Sequence, residues 1–236
     1  MTFAEREPCE LAPWDSDFWG VRIGRVLGGR LDPGAVDAWA AAHGVDCLFF
    51  LSDDEPGTAA IAEEAGFRLM DVRVELERAT AGAEPTSARR ARDEDVAALR
   101  QIARASKWTT RFYADPRFPD ARCDDLYEVW LERSYEGWAD VVLVVDARGV
   151  AAGFVACHAD GSESRGSIGL ISVDEGARGR GLGQQLVLGA VSWAAGEGLE
   201  RMTVVTQGRN IDAQRLFQRC GFRTESIALW FHKWYR

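Results

Sequence analysis

The sequence predicts an α/β protein, more narrowly an α+β mixed sheet covered by helices. Three observations support this fold class. From Arg89 onward the predicted elements run α-α-β-β-β-α-β-α-β, so three strands in succession precede an alternation of helix and strand. A glycine-rich segment over 178–183 joins an apolar strand to an amphipathic helix. With 236 residues, 47% of them hydrophobic, the chain can bury a large core without a disulfide or a metal.

The elements after Arg89 follow from periodicity and from helix-boundary residues. Residues 91–106 have acidic residues in the first turn, apolar residues at helical spacing and arginine near the end, which predicts a helix. Residues 123–136 predict a second helix, whereas Pro116 and Pro119 predict a loop over 108–120. The remaining predicted elements are strands 140–145, 150–158 and 167–173, helix 183–195, strand 202–206, helix 211–220 and a last strand around 226–232.

An N-terminal segment repeats the element order of the chain's end. Residues 47–51 predict a buried strand, 58–65 a helix closed by Gly66, and 72–76 a half-buried strand. The same order, with a shared Gly-Phe-Arg, recurs over 202–231. Two interpretations are open: a degenerate repeat of the chain's end, or two ordinary αβ turns.

The predicted domain boundary is the small, polar segment Ala79–Ser87. It separates an N-terminal αβ region, 1–84, from a larger domain, 85–236. Charge divides the chain in the same way, because the first region holds 7 basic and 17 acidic residues and the second holds 21 and 20. The net charge of −9 disfavours a nucleic-acid partner. From residue 165 onward, 10 basic residues face 6 acidic ones, which suits a small anionic ligand.

Cysteine, histidine and hydropathy patterns disfavour other classes. The five cysteines are widely spaced without Cys-x-x-Cys, and the three histidines are scattered, so we expect neither a disulfide framework nor a metal site. No apolar run approaches the roughly 20 residues that cross a bilayer. The opening MTFAEREPCELAP lacks the features of a secretory signal. We therefore expect a cytoplasmic protein without membrane association.

The segment Arg178-Gly179-Arg180-Gly181-Leu182-Gly183 is the strongest candidate for a binding site. Glycines between a strand and a helix let a ligand approach the backbone, and helix N-terminal N–H groups beside two arginines favour an anion. The segment lacks the Gly-Lys-Ser/Thr ending of a P-loop and the glycine spacing of a dinucleotide-binding turn. It predicts a diphosphate-binding loop of another kind; a tight turn that binds nothing is the alternative.

Two motifs resemble those of the GNAT acetyltransferase superfamily. Arg178-x-x-Gly181-x-Gly183 resembles its Gln/Arg-x-x-Gly-x-Gly/Ala signature, and Asn210, Ala213, Phe217 and Gly221-Phe222 resemble its Asn-x-x-Ala-x-x-x-Tyr/Phe-x-x-x-Gly-Phe pattern. The resemblance covers 85–236 and implies the GNAT fold, with acetyl-CoA as co-substrate and no metal. The coenzyme-binding residues that it implies are Ile171, Ser172, Val173, Arg178, Gly179, Arg180, Gly181, Leu182, Gly183, Gln184, Asn210 and Phe217.

The resemblance also implies roles in acetyl transfer. The Val173 N–H would hold the thioester carbonyl as the oxyanion donor. The position of Phe217 is commonly a tyrosine that protonates the leaving thiolate, and phenylalanine has no proton to give. The general acid is therefore open. Candidate acids are Tyr113 and Tyr235, and candidate bases acting through water are His158, Asp160 and Glu163.

A closer resemblance is to acetyltransferases of nucleotide-linked amino sugars, which carry a degenerate N-terminal half-domain that would account for 1–84. It rests on the opening PWDSDFWGVRIGRV, on SIGLIS and VVTQGRN, and on Glu225-Ser226 with Trp230. It implies direct attack of a small molecule's primary amine on the thioester. A catalytically weak acyl-CoA-binding or regulatory protein and an acetyltransferase of a protein or peptide amine are the alternatives. The oligomeric state is open, a homodimer included. The expected acceptor-binding residues are Trp108, Arg111, Phe112 and Tyr113.

Overall fold

The computed structural model describes residues 7–53, 55, 57–106 and 108–235, so the first six residues of the opening segment, and Asp54 and Pro56 of the loop after the first predicted strand, lie outside it. The predicted mixed α/β class is confirmed. In chain order the elements are β1 (Cys9–Leu11), α1 (Pro13–Trp19), β2 (Ile23–Val26), α2 (Pro33–His43), β3 (Cys47–Ser52), α3 (Thr58–Glu64), β4 (Arg68–Ala79), β5 (Arg89–Arg90), α4 (Val96–Ala105), α5 (Arg111–Ala114), α6 (Asp120–Arg133), β6 (Val141–Ala147), β7 (Val150–Asp160), β8 (Arg165–Val173), α7 (Leu182–Gly196), β9 (Arg201–Gln207), α8 (Ile211–Arg219) and β10 (Arg223–Trp234).

The chain forms two compact units, neither of which is a single stretch of sequence. Unit 1 combines Met1–Arg73, Thr110–Phe118 and Ile227–Arg236, and unit 2 combines Val74–Thr109 and Pro119–Ser226. This division differs from the single boundary expected after residue 84. The last strand is the reason, because β10 runs antiparallel beside β3 over residues 229–234.

Four strands of unit 1 pair in the order β1-β2-β3-β10. β2 pairs antiparallel with β1 and parallel with β3, which in turn pairs with the end of β10. Trp39 of α2, Phe50 of β3, Phe67 and Phe231 lie in one buried cluster against these strands. The apolar run Cys47–Leu51 that predicts a buried strand therefore supplies the centre of this core.

Unit 2 contains a five-stranded run in the order β9-β8-β7-β6-β5. β8 and β9 are parallel, and the other neighbouring pairs are antiparallel. The three successive predicted strands are thus β6, β7 and β8, and the predicted alternation follows as α7, β9, α8 and β10. The order expected from Arg89 onward is confirmed, with β5 and α5 as additional short elements.

The segment before β6 differs from the sequence prediction. Residues 108–120 contain the short helix α5, and α6 begins at Asp120 rather than at Cys123. Pro119, with φ −64°, is the residue before the first turn of α6, where a missing N–H costs nothing. The helix predicted over 91–106 begins as a one-turn 3-10 segment, Asp93–Asp95, and continues as α4.

The two similar sequence segments have the same order of elements. β3–α3–β4 corresponds to β9–α8–β10, with each helix followed by a glycine of positive φ, Gly66 (+82°) and Gly221 (+87°). The second strand of each segment continues into the other unit's set of residues: β4 enters unit 2 at Val74, and β10 enters unit 1 at Ile227. The assignment of the end of β10 to unit 1, together with that of Thr110–Phe118, makes each unit discontinuous in sequence.

The cysteines and the helices bear on two expectations from the sequence, a protein without disulfides and one without membrane-spanning helices. All five cysteines are buried, and none forms a disulfide. Among the described residues, no helix has both the length and the apolar composition needed to span a bilayer.

Candidate functional site

β8 separates from β9 near the middle of β8. The two strands pair from Arg165↔Arg201 to Ile168↔Val204, and the rest of β8 has no partner in β9. At the same point Gly169 is skipped in the pairing with β7, which marks a β-bulge. A bulge bends and twists its strand, so it accounts for the separation. Glycine fits here without displacing a neighbour, whereas a Cβ on residue 169 would lie 2.8 Å from His158 Nε2, so the imidazole would have to move.

The separated end of β8 presents unpaired backbone groups. The Asp174 N–H donates to the Ala152 carbonyl at 2.9 Å, which sets the register of the antiparallel ladder with β7. In such a ladder every second residue bonds to the partner strand. Ser172 therefore bonds towards β7, while Ile171 and Val173 direct their N–H groups towards the gap. An extended ligand with amide groups can pair with them there.

The predicted glycine loop follows β8 and has two glycines in left-handed conformations. Gly179 and Gly181 have φ of +76° and +77°, and a Cβ on either would meet nothing within 4 Å. Gly181 is the N-cap of α7 and provides no side-chain cap. The first intrahelical bond runs from Gln185 N to Gly181 O, so the N–H groups of the preceding helical residues remain for an anion.

Gly183 has a different role from the other two glycines. A Cβ at this position would lie 3.2 Å from Leu216 Cδ2, so glycine lets α7 and α8 approach closely. α8 itself begins at its N-cap Asn210, whose side chain accepts a hydrogen bond from Ala213 N at 3.3 Å. The family motif thus includes one residue for helix packing and one for helix capping.

These elements enclose a cleft of about 890 Å³. Four arginines and one carboxylate, Asp212, are among the described residues that line it, which gives it a positive potential. Arg178 also donates from Nε to the Val173 carbonyl at 3.2 Å and so braces the end of β8. The lining residues are Ser106, Trp108, Thr109, Ile171, Ser172, Val173, Arg178, Gly179, Gly181, Leu182, Gly183, Gln184, Arg209, Asn210, Ile211, Asp212, Ala213, Arg215, Leu216, Phe217 and Arg219.

The structure brings together eleven of the twelve residues expected to bind coenzyme. Arg180 is the exception, since its guanidinium donates to the Gly176 carbonyl at 3.3 Å and it does not line the cleft. Phe217 is only 1% exposed and packs against Phe222 with ring centroids 5.9 Å apart. The position where the family resemblance implies a phenol therefore contributes an apolar wall here.

Of the four expected acceptor-binding residues, Trp108 is the one that the cleft lining includes. Trp108 lines the cleft, where its indole donates to the Ala103 carbonyl at 2.9 Å and stacks on Tyr127 at 4.3 Å. Arg111, Phe112 and Tyr113 belong to unit 1 and do not line the cleft.

Arg111 lies in an aromatic and charged cluster of unit 1. Its guanidinium lies 4.1 Å from the Phe49 ring and donates to His232 Nε2 at 2.9 Å. Because arginine only donates, His232 is neutral, and its Nδ1–H donates to Asp115 at 2.7 Å. Burial lowers the pKa of His232 to about 4. Arg111 thus packs and hydrogen-bonds within unit 1.

None of the candidate acids and bases is among the described residues that line the cleft. The Tyr235 hydroxyl donates to Asp37 at 2.6 Å, and burial together with this carboxylate raises its pKa above the ordinary value. Burial lowers the pKa of His158, although Asp140 and a hydrogen bond with the Trp138 backbone act in the opposite direction. His158 lies at the bulge, against Gly169, and packs edge-on against the Trp138 ring at 5.1 Å. Asp160 and Glu163 sit at the far end of β7 and in the turn after it.

Sequence reasoning missed two hydroxyl residues of the cleft, Ser106 and Thr109. No motif marks them, since they enter the cleft only because α4 ends beside Ser172 of β8, where the Ser106 and Ser172 hydroxyls bond to each other. Metal chemistry has no candidate site in the described ranges, where no cluster of three or more His, Cys, Asp or Glu side chains is arranged to hold an ion.

The splayed strand, the glycine loop and the element order define the GNAT fold, and the comparison with protein families agrees. Residues 102–222 match the acetyltransferase (GNAT) family, about half of the chain. The chain belongs to this family.

Particular relatives extend the similarity beyond the matched segment. The chain is 28% identical to the dTDP-fucosamine acetyltransferase of Escherichia coli O6:H1, over 97% of this chain and 99% of that protein. Its fold is similar to that of a GCN5-related N-acetyltransferase from Sphaerobacter thermophilus, with a TM-score of 0.67, 14% identity, and coverage of 97% of this chain and 76% of the other. It is also similar to a tandem GNAT protein from the clavulanic acid biosynthesis pathway, with a TM-score of 0.58, 17% identity, and coverage of 91% and 76%.

Proposed function

We propose that this protein transfers the acetyl group of acetyl-CoA to the primary amine of a nucleotide-linked amino sugar. The observation that carries the proposal is the cleft of unit 2, in which a splayed strand end, a glycine loop and an uncapped helix N-terminus meet. The acceptor class is supported by the relative that acts on dTDP-fucosamine, which is similar over nearly the whole chain.

The residues of the cleft fit acetyl-CoA. Backbone N–H groups at Leu182–Gln184, reinforced by Arg178, would hold the pyrophosphate. The N–H groups of Ile171 and Val173 would pair with the extended pantetheine arm. The open space around Gly181 would admit the phosphates, because no side chain occupies it. When bound, the coenzyme supplies an activated acetyl group.

Acetyl transfer then needs an oxyanion donor and a route for one proton. The amine nitrogen forms a bond to the carbonyl carbon, the bond to sulfur breaks with its electron pair on sulfur, and the nitrogen loses a proton to water. The Val173 N–H, which faces the gap, would hold the carbonyl oxygen as charge develops there. The pKa of a free thiol is about 8.5, so the thiolate can leave without a phenol at position 217.

The direct test is release of coenzyme A thiol from acetyl-CoA in the presence of different amines. The panel would contain nucleotide-linked amino sugars, free amino sugars, aminoglycosides and peptides. We expect release that depends on a nucleotide-linked amino sugar and saturates with it. Release only with peptides, or equal release with every amine, would contradict the acceptor class.

A second candidate function is acyl-CoA binding without efficient turnover. The observation that favours it is Phe217, buried at the position where the family resemblance implies a proton donor. Saturable acetyl-CoA binding with no amine-dependent release across the whole panel would support it. In that case Phe217→Tyr should restore measurable turnover.

A further inference from the structure

Three hydroxyl side chains are found among the described residues of the cleft lining, and two of them have their hydrogens committed. Ser106 Oγ donates to the Ile102 carbonyl at 2.6 Å. Because that carbonyl can only accept, the hydrogen of the Ser106–Ser172 contact must come from Ser172. Neither serine therefore has a hydrogen left for a ligand.

Thr109 is the third hydroxyl, and it differs from the serines. Its Oγ1 is buried and has no hydrogen-bond partner among the described residues. A buried hydroxyl without a partner destabilises the free protein, so such groups usually serve a purpose. Since Thr109 lines the cleft, rotation about its Cα–Cβ bond can turn the hydroxyl towards a ligand without breaking any hydrogen bond.

Local contacts hold Thr109 beside the end of β8. The Ser106–Ser172 contact ties the end of α4 to the strand. Trp108 N donates to the Ser106 carbonyl at 3.0 Å, and its indole donates to Ala103 O at 2.9 Å, so the chain turns tightly before Thr109. Thr109 therefore follows a segment that is tied to β8, and it lines the same cleft as Ile171 and Val173.

We propose that the Thr109 hydroxyl donates a hydrogen bond to the coenzyme sulfur as it leaves, in place of the phenol absent at Phe217. The inference rests on the proposed function, because it requires acetyl-CoA in this cleft. The carbon–sulfur bond breaks with its electron pair on sulfur, and Thr109 keeps its own proton because an alcohol is a much weaker acid than a thiol. Water then protonates the thiolate.

The test compares Thr109→Val with the wild type in a readout that needs no acceptor. Ultraviolet absorbance of the thiolate gives the pKa of the thiol of bound coenzyme A. We expect this pKa to rise by about one unit in Thr109→Val, because a hydrogen bond to the charged form is lost. Turnover should fall roughly tenfold with the acetyl-CoA affinity unchanged, and Thr109→Ser should restore most of both.

The unfolding temperature is a second readout, because replacement of a residue with a structural role would lower it. Thr109→Val should unfold at the same temperature as the wild type or higher, because an unpaired buried hydroxyl is removed. The matched control is Thr203→Val: Thr203 is buried on β9, outside the cleft lining, and donates to the Gly166 carbonyl at 3.2 Å. The control should unfold at a lower temperature and leave the thiol pKa unchanged.

Each outcome separates the two proposals. An unchanged thiol pKa in Thr109→Val overturns the inference, whether or not the dissociation constants of coenzyme A and acetyl-CoA rise. If the thiol pKa rises in Thr109→Val but the wild type acetylates no amine, the role of Thr109 is supported and the proposed acceptor chemistry is rejected. Rescue of Thr109→Val turnover by an added Phe217→Tyr is the expected result of the double variant.

Discussion

The loop between β2 and α2 in unit 1 and the loop between β8 and α7 in unit 2 occupy the same place in two similar element orders. Both join the end of a strand to a helix, and both contain a glycine with φ near +77°, Gly28 (+78°) and Gly181 (+77°). In unit 2 the helix N-terminus has no side-chain cap, whereas in unit 1 the Asp32 carboxylate accepts from Ala35 N and occupies it. A carboxylate at this position repels the anion that the other loop would bind.

The strands before the two loops differ as well. β2 stays paired with β3 through Arg25↔Phe49, one residue before it ends, whereas β8 leaves β9 after Ile168. In unit 1, a Cβ on Gly29 would lie 2.9 Å from the Asp53 side chain, so that loop is also closed by packing. We propose that unit 1 is a degenerate copy of the coenzyme-binding half of unit 2. A glycine of positive φ is therefore insufficient for a coenzyme site. An uncapped helix N-terminus and a separated strand end complete it.

The largest expected effect comes from valine at one of these two glycines, Gly181. Gly181→Val should reduce acetyl-CoA affinity at least about a hundredfold, because the side chain forces the loop out of its left-handed conformation and fills the ligand's space. Gly28→Val imposes the same backbone strain in unit 1 and should leave affinity unchanged. Calorimetric titration of both variants with acetyl-CoA measures the difference, and equal loss in the two would refute the assignment of the site to unit 2.

The next effect concerns the charged cluster buried in unit 1. The pKa of His232 is about 4 in the folded protein against an ordinary 6.5, so the unfolded chain binds a proton first as the pH falls. Unit 1 should lose about 3 kcal/mol of unfolding free energy between pH 6.5 and 4. Burial acts to raise the pKa of Asp115, but hydrogen bonds from His232, Trp234 and the Arg117 backbone keep it below its ordinary value, so its contribution is lost only at still lower pH.

Denaturant unfolding at a series of pH values measures the change in unfolding free energy. Hydrogen exchange of the β3 amides at the same pH values shows whether the change belongs to unit 1. His232→Gln should be less stable than the wild type at neutral pH and less sensitive to acid in this range. An equally steep acid dependence in His232→Gln would place its origin elsewhere in the chain.

A smaller effect is expected for two arginines of the loops. Arg178→Ala should weaken acetyl-CoA binding roughly tenfold and reduce its dependence on salt, because a partly exposed cation beside a diphosphate contributes about 1 to 1.5 kcal/mol. Arg30→Ala, in the loop of unit 1, should change neither quantity. Fluorescence titrations at two ionic strengths would decide, and loss of affinity in Arg30→Ala would contradict the comparison.

The smallest effect is expected for exchange of the helix caps. Asn210→Asp retains the cap of α8 but adds a negative charge to the cleft lining, so it should weaken acetyl-CoA binding several-fold with little change in stability. Asp32→Asn retains the cap of α2 and should leave binding unaltered. Unfolding midpoints and dissociation constants for the pair check the prediction, and unchanged affinity in Asn210→Asp would remove Asn210 from the site.

The sequence could predict the parts of the site that depend on local conformation. Gly179 and Gly181 fall in a strand–loop–helix pattern, and their positive φ follows from the turn they must make. The family resemblance implies that β8 splays from its neighbour, but the residues alone do not locate the separation, because it depends on a bulge at Gly169 and on which residues of two distant segments pair.

Residues 108–118 show the limit of reasoning from residue types. An arginine among aromatic residues suggests a ligand-binding loop, yet Arg111 lies against Phe49 and bonds His232, which is more than a hundred residues away in the sequence. Thr109, which lines the cleft, carries no sequence signal, since a hydroxyl without a partner is recognisable only once its neighbours are in place.

Hydrogen exchange with and without acetyl-CoA tests the central claim most directly, because it shows which of the two loops the coenzyme touches. We predict slower exchange at Ile171, Val173 and the amides of 182–184, and no change over 27–32 in unit 1. Protection over 27–32, or none at the end of β8 and the start of α7, would contradict the account.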